Sequence, residues 1–499
     1  MLSGKMILPQ VSIIEKEHAL DDRIQISQSL KTAMEYISTR GTAPCLDFEK
    51  VTLTGLASDG GLYLPRTIPQ LDANTIRSYQ NLEYSELAAA ILSNFTGRSI
   101  PLEELKQLVK SAYGHFHHDA VAPVIQLDDN LYFMELFHGP TLAFKDYALQ
   151  VLGQFFQYFL DKNAESCTIV GATSGDTGSA AIAGIRGLQS VRLFMLHPQG
   201  RVSEVQRRQM TTVADSNIHN LAVDGTFDDC QSLVKALFND RAFKERYRLS
   251  AVNSINWARI AAQVVYYFRA ALVFGSPDRE VNFSVPTGNF GNVLAGYIAM
   301  QMGLPIKRLI IGSNKNDILT RFFETGTMKK MSVTPTLSPS MDIQISSNFE
   351  RYLFLLLGRD SVHLCEMMEE FSRSGSFSIS RRLLSKAQQV FGAYRLDDQQ
   401  IFSDIRKTYH STGEIIEPHS IIGVSAARRE PDASVPTIVL GTAHPAKFPD
   451  AIHQSTNRMV ALPDHAGDIM NMDEHYSSMN NDLAALKAQI EQLAPIPSS

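Results

Sequence analysis

The stretch that decides the fold reads SCTIVGATSGDTGSAAIA over residues 166–183. It begins as a short apolar run, passes through a turn with three glycines, and ends in a helical pattern of small residues. An apolar strand that leads through such a turn into a helix is typical of a parallel sheet covered by helices on both faces. The stretch therefore predicts an α/β fold.

The same order of strand, turn and helix recurs from about residue 131 onward. Ligands of such sheets bind at the carboxyl ends of the strands, so we expect the chemistry to lie in the turns. An amphipathic surface helix is expected near the end of the chain. The predicted strands cover residues 166–170, 191–196, 220–223, 281–285, 307–312 and 435–440, and the late helix covers 482–493.

The chain of 499 residues is too long for one compact core, and two or three domains are expected. We predict an N-terminal extension (1–33), an N-terminal domain (34–112) and two α/β domains (113–275 and 276–499). The composition of the sequence changes at Met34, after a mixed and polar stretch over residues 1–33. Residues 1–33 are therefore either an extension before an alternative start or an arm on the same domain.

Composition excludes several classes of protein. The formal net charge of -6 argues against nucleic acid as the main partner. The four cysteines contain no C-x-x-C pair, which argues against a zinc site or a disulfide framework and favours reduced thiols. Neither a membrane-spanning apolar run nor a signal peptide is recognisable, so the cytoplasm is the expected location.

Lys145 follows a Gly-Pro turn and the apolar triplet Leu142-Ala143-Phe144. Partial burial lowers the pKa of a lysine and makes its neutral amine nucleophilic, as Schiff-base chemistry requires. The alternative is an ordinary lysine at a helix start, with its stem on apolar surface and its head in water.

The turn within residues 171–178 predicts an anion site, because backbone N–H groups at a helix start bind anions and hydroxyls add donors. A substrate carboxylate is the expected ligand, and the alternative is a simple helix cap. The candidate residues are Thr173, Ser174, Gly175, Asp176 and Thr177.

A second glycine-rich turn, PTGNFGN over residues 286–292, resembles a phosphate cradle. It is neither a Walker A motif nor a dinucleotide fingerprint. An ordinary tight turn is the alternative.

Two further stretches offer single functional groups. Thr442, at the end of a predicted strand, could bring a hydroxyl to a ring nitrogen. Ser347, Asn348 and Arg351 together could grip a phosphate monoester, the arginine through its planar fork, and Lys315 is a weaker candidate for the same task. Each of these also has a purely structural interpretation as a turn, a helix cap or a solvated charge.

Together, five stretches resemble signatures of the threonine synthase family of pyridoxal-phosphate (PLP) enzymes, a resemblance that runs from Met34 to about Pro449. One short motif would be weak, but five in the expected order are specific. The five are YISTRG (36–41), GLASDGGLY (55–63), HGPTLAFKD (138–146), TSGDTG (173–178) and GNFGN (288–292).

The resemblance implies the tryptophan synthase β-like PLP fold, fold type II, with two α/β domains around a cleft and an added N-terminal domain. It implies that Lys145 forms the Schiff base with PLP, that Thr442 lies near the pyridine nitrogen, and that the 173–177 loop holds the substrate α-carboxylate. The residues implied to hold the cofactor phosphate are Gly288, Asn289, Phe290, Gly291 and Asn292.

The implied activity is conversion of O-phospho-L-homoserine and water to L-threonine and phosphate, by a monomer or homodimer. A phospho-lyase of the same family that ends at 2-oxobutyrate is the nearest alternative. A β-replacement enzyme or dehydratase of this fold, and an inactive homologue that only binds ligands, are the others. The intact Lys145 and phosphate cradle argue against the last.

Overall fold

The computed structural model describes residues 34–494 of the chain. The predicted extension at residues 1–33 lies outside the described residues. Within them the chain forms fifteen strands. They are β1 Tyr36–Ser38, β2 Tyr63–Pro65, β3 Val124–Asp128, β4 Leu131–Glu135, β5 Cys167–Ala172, β6 Val191–Pro198, β7 Ile218–Asp224, β8 Leu249–Ser250, β9 Val281–Pro286, β10 Ile306–Ser313, β11 Thr327–Lys329, β12 Ser376–Ser378, β13 Phe391–Arg395, β14 Thr437–Gly441 and β15 Ser477–Asn480.

Helices connect and cover these strands. They are α1 Phe48–Thr54, α2 Ala73–Ser78, α3 Tyr84–Thr96, α4 Leu102–Tyr113, α5 Asp146–Asn163, α6 Asp176–Ile185, α7 Glu204–Thr211, α8 Phe227–Asn239, α9 Arg241–Arg246, α10 Trp257–Val273, α11 Gly291–Gln301, α12 Ile318–Thr325, α13 Phe349–Leu356, α14 Ser361–Ser374, α15 Arg381–Val390, α16 Asp398–Thr412, α17 Pro418–Arg429, α18 Pro449–Thr456, α19 Asp464–Gly467 and α20 Leu483–Leu493.

The larger sheet has six strands in the order β13-β10-β9-β14-β4-β3. Five of them run parallel, and β3 pairs antiparallel with β4 at one edge. β9 and β14 are buried along their whole length, which explains their near-continuous apolar sequences. The carboxyl ends of β4, β9, β10 and β14 therefore meet at one edge of this sheet.

The second sheet has five strands, all parallel, in the order β15-β7-β6-β5-β8. The last strand, β15, comes from the end of the chain, and α20 beyond it buries Leu486 and Ile490 in this sheet's own apolar cluster. The two sheets thus exchange segments, since β3 and β4 precede the second sheet in sequence but belong to the first.

The α/β fold is confirmed, and all six predicted strands are present with bounds that differ by a few residues. The late helix is also found, with Asp482 accepting a hydrogen bond from Ala485 as its N-cap. The predicted domain boundaries at 33, 112 and 275 stay a prediction. None of the helices between residues 34 and 494 has the length and apolarity that a membrane span requires.

The N-terminal part of the described chain is a β1–β2 hairpin packed with α1 to α4. Its aromatic residues join the main core: the ring of Tyr36 lies 6.2 Å from that of Trp257 in α10. This part therefore packs on the helices that cover the six-stranded sheet.

Candidate active site

The segment that carries Lys145 is fixed to the end of β14. The N–H of Phe144 donates to the carbonyl of Thr442 at 2.8 Å, and the N–H of His444 donates to the carbonyl of Leu142 at 3.1 Å. Lys145 directly precedes α5. Two of the predicted site residues, Lys145 and Thr442, are thereby brought together by backbone hydrogen bonds.

The Lys145 side chain is largely buried, with 11% of its surface exposed. Its Nζ lies 3.1 Å from Oδ2 of Asp176 and 5.0 Å from the centre of the Phe144 ring. Burial lowers the pKa of Lys145, Asp176 opposes that shift, and the nearby cations Lys447 and Arg259 add to it. The surroundings therefore favour a neutral amine more than water does.

We call residues 171–178, between β5 and α6, the Asp176 turn. Thr173 closes it, because its hydroxyl accepts hydrogen bonds from the N–H groups of Gly175 at 3.0 Å and Gly178 at 2.8 Å. Gly175 has a φ of +146°, and a Cβ there would lie 2.5 Å from the Gln206 amide carbon. The turn thus requires glycine at this position.

The carboxylate of Asp176 is buried and bound on both oxygens. Its Oδ1 accepts from Lys447 Nζ and from Gln206 Nε2, each at 2.7 Å, while Oδ2 faces Lys145. Burial would raise the pKa of Asp176, but the ammonium groups of Lys145 and Lys447 outweigh burial and hold that pKa well below its usual value. Asp176 is therefore an ionised partner of the lysines.

The ionised side chain of Asp176 would repel a substrate carboxylate, which argues against direct binding by that side chain, and its predicted contact with the substrate stays a prediction. Ser174 and Thr177 are the better candidates in the same turn. Both are partly exposed. Their hydroxyls make no hydrogen bond within residues 34–494, so they are available to a ligand. Thr173 and Gly175 instead maintain the shape of the loop.

We call residues 286–292, between β9 and α11, the Asn292 turn. Asn292 organises it: its Oδ1 accepts from the Thr287 hydroxyl at 2.6 Å and from the Val293 N–H at 3.0 Å, and its Nδ2 donates to the Pro286 carbonyl at 2.9 Å. Asn292 therefore shapes the turn from inside.

The backbone of the Asn292 turn leaves donors free. Phe290 adopts a left-handed conformation with a φ of 62° at the start of α11, and its ring is buried against Phe349. Within the described part of the chain, the N–H groups of Gly288, Asn289 and Phe290 have no acceptor. Free N–H groups at a helix start are suited to an anion such as a phosphate.

The segment with Ser347, Asn348 and Arg351 packs directly on the Asn292 turn. The Asn348 N–H donates to the Asn289 carbonyl at 3.1 Å, and the Ser347 hydroxyl lies 3.5 Å from Oδ1 of Asn289. Ser347 is partly exposed, whereas Asn348 is buried. The structure thus brings these predicted residues to the predicted phosphate cradle.

All three nitrogens of the Arg351 guanidinium already donate to protein acceptors. Its guanidinium is fully buried and donates from Nε to the Tyr63 carbonyl at 2.9 Å, from Nη1 to Asn348 and from Nη2 to the Ile255 carbonyl. Burial lowers the pKa of Arg351 to about 9, although the carboxylate of Glu350 opposes this shift. The geometry favours a bracing role for Arg351, and its direct contact with a phosphate stays a prediction.

Thr442 belongs to a buried polar group that the sequence analysis missed. Its hydroxyl lies 3.2 Å from that of Ser420 and 3.3 Å from Oε1 of Glu417. Glu417 also accepts from the His419 ring at 2.8 Å. Burial would raise the pKa of Glu417, but His419 and the hydrogen bonds of Ser420 lower it overall. The Thr442 hydroxyl therefore donates to an ionised carboxylate, that of Glu417.

Lys315 forms an ion pair of its own. It is exposed and pairs with Asp398 at 3.1 Å. Among the described residues it makes no hydrogen bond or ion pair with another predicted site residue. Its predicted contact with a phosphate stays a prediction.

Lys447 is the most important residue to which the sequence analysis gave no role. It stands six residues after β14, in a short 3-10 turn, and its side chain is fully buried. Nothing in the sequence distinguishes it from a surface lysine. The arrangement as a whole, with a buried lysine, an ionised aspartate and a helix start with free N–H groups, can hold an anionic ring cofactor beside a nucleophilic amine.

Three family models match the chain. They are described as "Threonine synthase N terminus" at residues 35–113, "Pyridoxal-phosphate dependent enzyme" at residues 118–440 and "Threonine synthase, C-terminal" at residues 420–490. The threonine synthase of Pseudomonas aeruginosa is 50% identical over 461 residues, which is 92% of this chain and 98% of that protein. The threonine synthase of Saccharomyces cerevisiae is 44% identical over 455 residues, covering 84% and 88%.

Solved structures of similar proteins are also threonine synthases. The PLP-bound threonine synthase from Brucella melitensis superposes with a TM-score of 0.91 at 49% identity, covering 93% of this chain and 100% of that one. Threonine synthase from yeast gives a TM-score of 0.87 at 40% identity, covering 92% and 99%. The family resemblance and the fold type are confirmed, and this chain belongs to the threonine synthase family of pyridoxal-phosphate-dependent enzymes.

Proposed function

We propose that this chain converts O-phospho-L-homoserine and water to L-threonine and phosphate, with Lys145 as the lysine that carries pyridoxal 5′-phosphate. The observation that carries the proposal is the setting of Lys145. Its amine is largely buried, 3.1 Å from an ionised aspartate, on a segment hydrogen-bonded to the end of β14. A lysine in such surroundings is suited to covalent chemistry rather than to surface solvation.

The residues around Lys145 fit this cofactor. The N–H groups of Gly288, Asn289 and Phe290, which have no acceptor in the described part of the chain, suit its phosphate, together with Gly291 and Asn292. The Thr442 hydroxyl suits its ring nitrogen. When bound, the cofactor withdraws electrons from the substrate carbons next to the amino group.

The protein's own part in the reaction is proton transfer and orientation. The Lys145 amine takes the α proton, and the carboxylate of Asp176 beside it stabilises the ammonium that results. The hydroxyls of Ser174 and Thr177 hold the substrate α-carboxylate in our proposal, because both are free to donate. A β proton is then lost and the γ-phosphate leaves. A proton is returned to the γ carbon, water adds its hydroxyl at the β carbon, and Lys145 returns a proton to the α carbon, which gives threonine and phosphate.

The substrate phosphate would be bound near the Asn292 turn, where Ser347 supplies a partly exposed hydroxyl. Asn348 and Arg351 would support Ser347 from behind, and Lys315 would be a further cation for this phosphate. Arg351→Ala is expected to raise the KM for O-phosphohomoserine. An unchanged KM in a folded variant would remove Arg351 from the site.

Turnover of O-phosphohomoserine with identification of all products tests the proposal. We expect threonine and phosphate in equal amounts. Formation of 2-oxobutyrate and ammonia without threonine would instead identify the phospho-lyase alternative. Purified protein should also show the visible absorption of a lysine-bound cofactor, and Lys145→Ala should abolish it. A band that persists in this variant would refute the assignment of Lys145.

We place the reaction in the cytoplasm, which is consistent with four free cysteines. We also propose a monomer or a homodimer, which light scattering of the purified protein would decide.

A further inference from the structure

Two lysines share one buried carboxylate next to the proposed reaction centre. Oδ2 of Asp176 lies 3.1 Å from Lys145 Nζ, and Oδ1 lies 2.7 Å from Lys447 Nζ. The chemistry proposed above uses Lys145 and Asp176 but leaves Lys447 without a task. A fully buried ammonium is costly unless it is well paired, so its presence here needs an explanation.

The Lys447 ammonium is held in place on two sides. Besides Asp176 it donates to the Thr141 carbonyl at 2.7 Å, and this carbonyl also accepts from Gln209 at 3.0 Å. Thr141 is fixed in turn, since its N–H and hydroxyl donate to Asp146 at 2.9 and 2.7 Å. Lys447 is thus a stationary charge that does not reach the substrate without breaking both contacts.

We propose that Lys447 is a positioning residue that holds Asp176 by its Oδ1 and thereby limits how strongly Asp176 stabilises a proton on Lys145. This inference rests on the proposed role of Lys145 as the lysine that carries the cofactor. It assigns to Lys447 the tuning of that lysine's basicity, through the shared carboxylate.

The positive charge of Lys447 should make Lys145 harder to protonate. With Lys447 absent, Asp176 would be the counterion of Lys145 alone, and the protonated form of Lys145 would be more stable. The fixed cation removes part of that stabilisation, which agrees with the downward effect of Lys447 on the pKa of Lys145. A general base works best when its pKa lies near the working pH, so a less basic Lys145 is the better base.

Other charged groups around this centre would remain in a Lys447 variant. Arg259 also lowers the pKa of Lys145, and His419 lowers that of Asp176. Asp146, buried next to Lys145, and Glu417, paired with His419, complete the set. Since none of these groups is removed, a change in Lys145 can be assigned to Lys447.

The test is a pH titration of the visible absorption band in the holoenzyme, which follows protonation at the nitrogen of Lys145. We expect Lys447→Met to raise the midpoint by about one pH unit, a tenfold change in the proton equilibrium. Lys447→Arg should return the midpoint to within a few tenths of a unit of the wild type. An unshifted or lowered midpoint in cofactor-loaded Lys447→Met would overturn the inference.

Gln206→Met is a matched control, because Gln206 donates to the same Oδ1 at 2.7 Å but carries no charge. Its midpoint should stay at the wild-type value, and a rise equal to that of Lys447→Met would mean that lost hydrogen bonding, rather than lost charge, is responsible. Asp176→Asn provides a second test if Lys447→Met does not fold. It should lower the midpoint, and a rise would contradict the inference.

The same titration can be made without the cofactor. In protein stripped of PLP, labelling of Lys145 by an amine-specific reagent, followed by peptide mass spectrometry, reports the neutral amine directly. Lys447→Met should shift the labelling midpoint upward as well. The absorption band of Lys145→Ala tests the proposed function separately: loss of that band with no shift in Lys447→Met would preserve the proposed function and remove only this inference.

Discussion

The Asp176 turn and the Asn292 turn follow the same local plan but hold different chemistry. Each leads from a buried parallel strand through glycines into the first turn of a helix. The Asp176 turn contains a buried carboxylate bound by two ammonium groups. The Asn292 turn contains no ionisable side chain, and an amide organises it from inside.

The difference shows how one backbone plan serves two tasks. The Asn292 turn offers free N–H groups, which suit a ligand that brings its own negative charge. The Asp176 turn supplies negative charge itself, which opposes the downward effect of burial on the pKa of Lys145. We therefore expect the two turns to respond very differently to substitution and to pH.

The largest effect should come from Asp176→Ala. The Lys447 ammonium would remain buried without its carboxylate, and removing one partner of a buried ion pair typically costs about 3–5 kcal/mol of the free energy of unfolding. Urea denaturation at pH 7 measures the loss. As a control, Asp278→Ala breaks an exposed pair with Arg77, which solvent screens, and should reduce the free energy of unfolding far less. Equal losses in the two variants would contradict a buried, ionised Asp176.

Asn292→Ala should have a smaller effect. It removes three hydrogen bonds and leaves the Pro286 carbonyl and the Thr287 hydroxyl without their partner, at a cost of about 1–3 kcal/mol. The same denaturation experiment applies. Asn289→Ala is the matched control within the turn, because its side chain makes only a 3.5 Å contact with Ser347. If Asn292→Ala lost more of the free energy of unfolding than Asp176→Ala, the expected contrast between the two turns would be wrong.

The pH dependence of stability separates the turns further. The pKa of Asp176 is held well below its usual value, so its contribution is complete above the usual aspartate range and is lost as the pH falls through the lowered pKa. The stability gap between wild type and Asp176→Asn should be constant from neutral pH to about pH 5 and narrow below about pH 4. Denaturation at a series of pH values measures it.

The gap between wild type and Asn292→Ala should stay flat over the same pH range, because residues 286–292 contain no titratable side chain. A gap that narrows equally for both variants would show that the acid sensitivity arises elsewhere in the protein.

The smallest effect on stability should come from Ser174→Ala and Thr177→Ala. Their hydroxyls have no partner within residues 34–494, so each change should cost less than about 0.5 kcal/mol. The KM for O-phosphohomoserine should nevertheless rise, because both are proposed to bind the substrate carboxylate. Steady-state kinetics measures this change. Thr173→Ala should instead reduce stability, since Thr173 closes the loop, and an unchanged KM for all three would remove the turn from substrate binding.

Much of this arrangement could be predicted from local sequence. The turns were recognisable because glycines and hydroxyls stand between an apolar strand and a helix, and those signals are contiguous. β15 was not predicted, since its sequence SSMN has no apolar pattern and only Met479 is buried. Such a strand is defined by its pairing with β7, a contact that local sequence does not encode.

Buried charged residues were the second feature that could not be predicted from the sequence. Lys447 and Glu417 look like surface residues in the sequence, and only the tertiary structure buries them beside their partners. Arg351 shows the same dependence on tertiary structure, because it stands beside Ser347 and Asn348 in sequence as an anion-binding residue would. The carbonyls of Tyr63 and Ile255, far away in sequence, occupy its donors instead.

The late position of β15 and α20 has a consequence for synthesis on the ribosome. Until residues 477–493 emerge, β7 presents an open edge, and the apolar residues that Leu486 and Ile490 cover remain exposed. An open parallel edge beside uncovered apolar surface promotes self-association of a nascent chain. The half of the enzyme that contains Asp176 can therefore complete its fold only after residues 477–493 have been made.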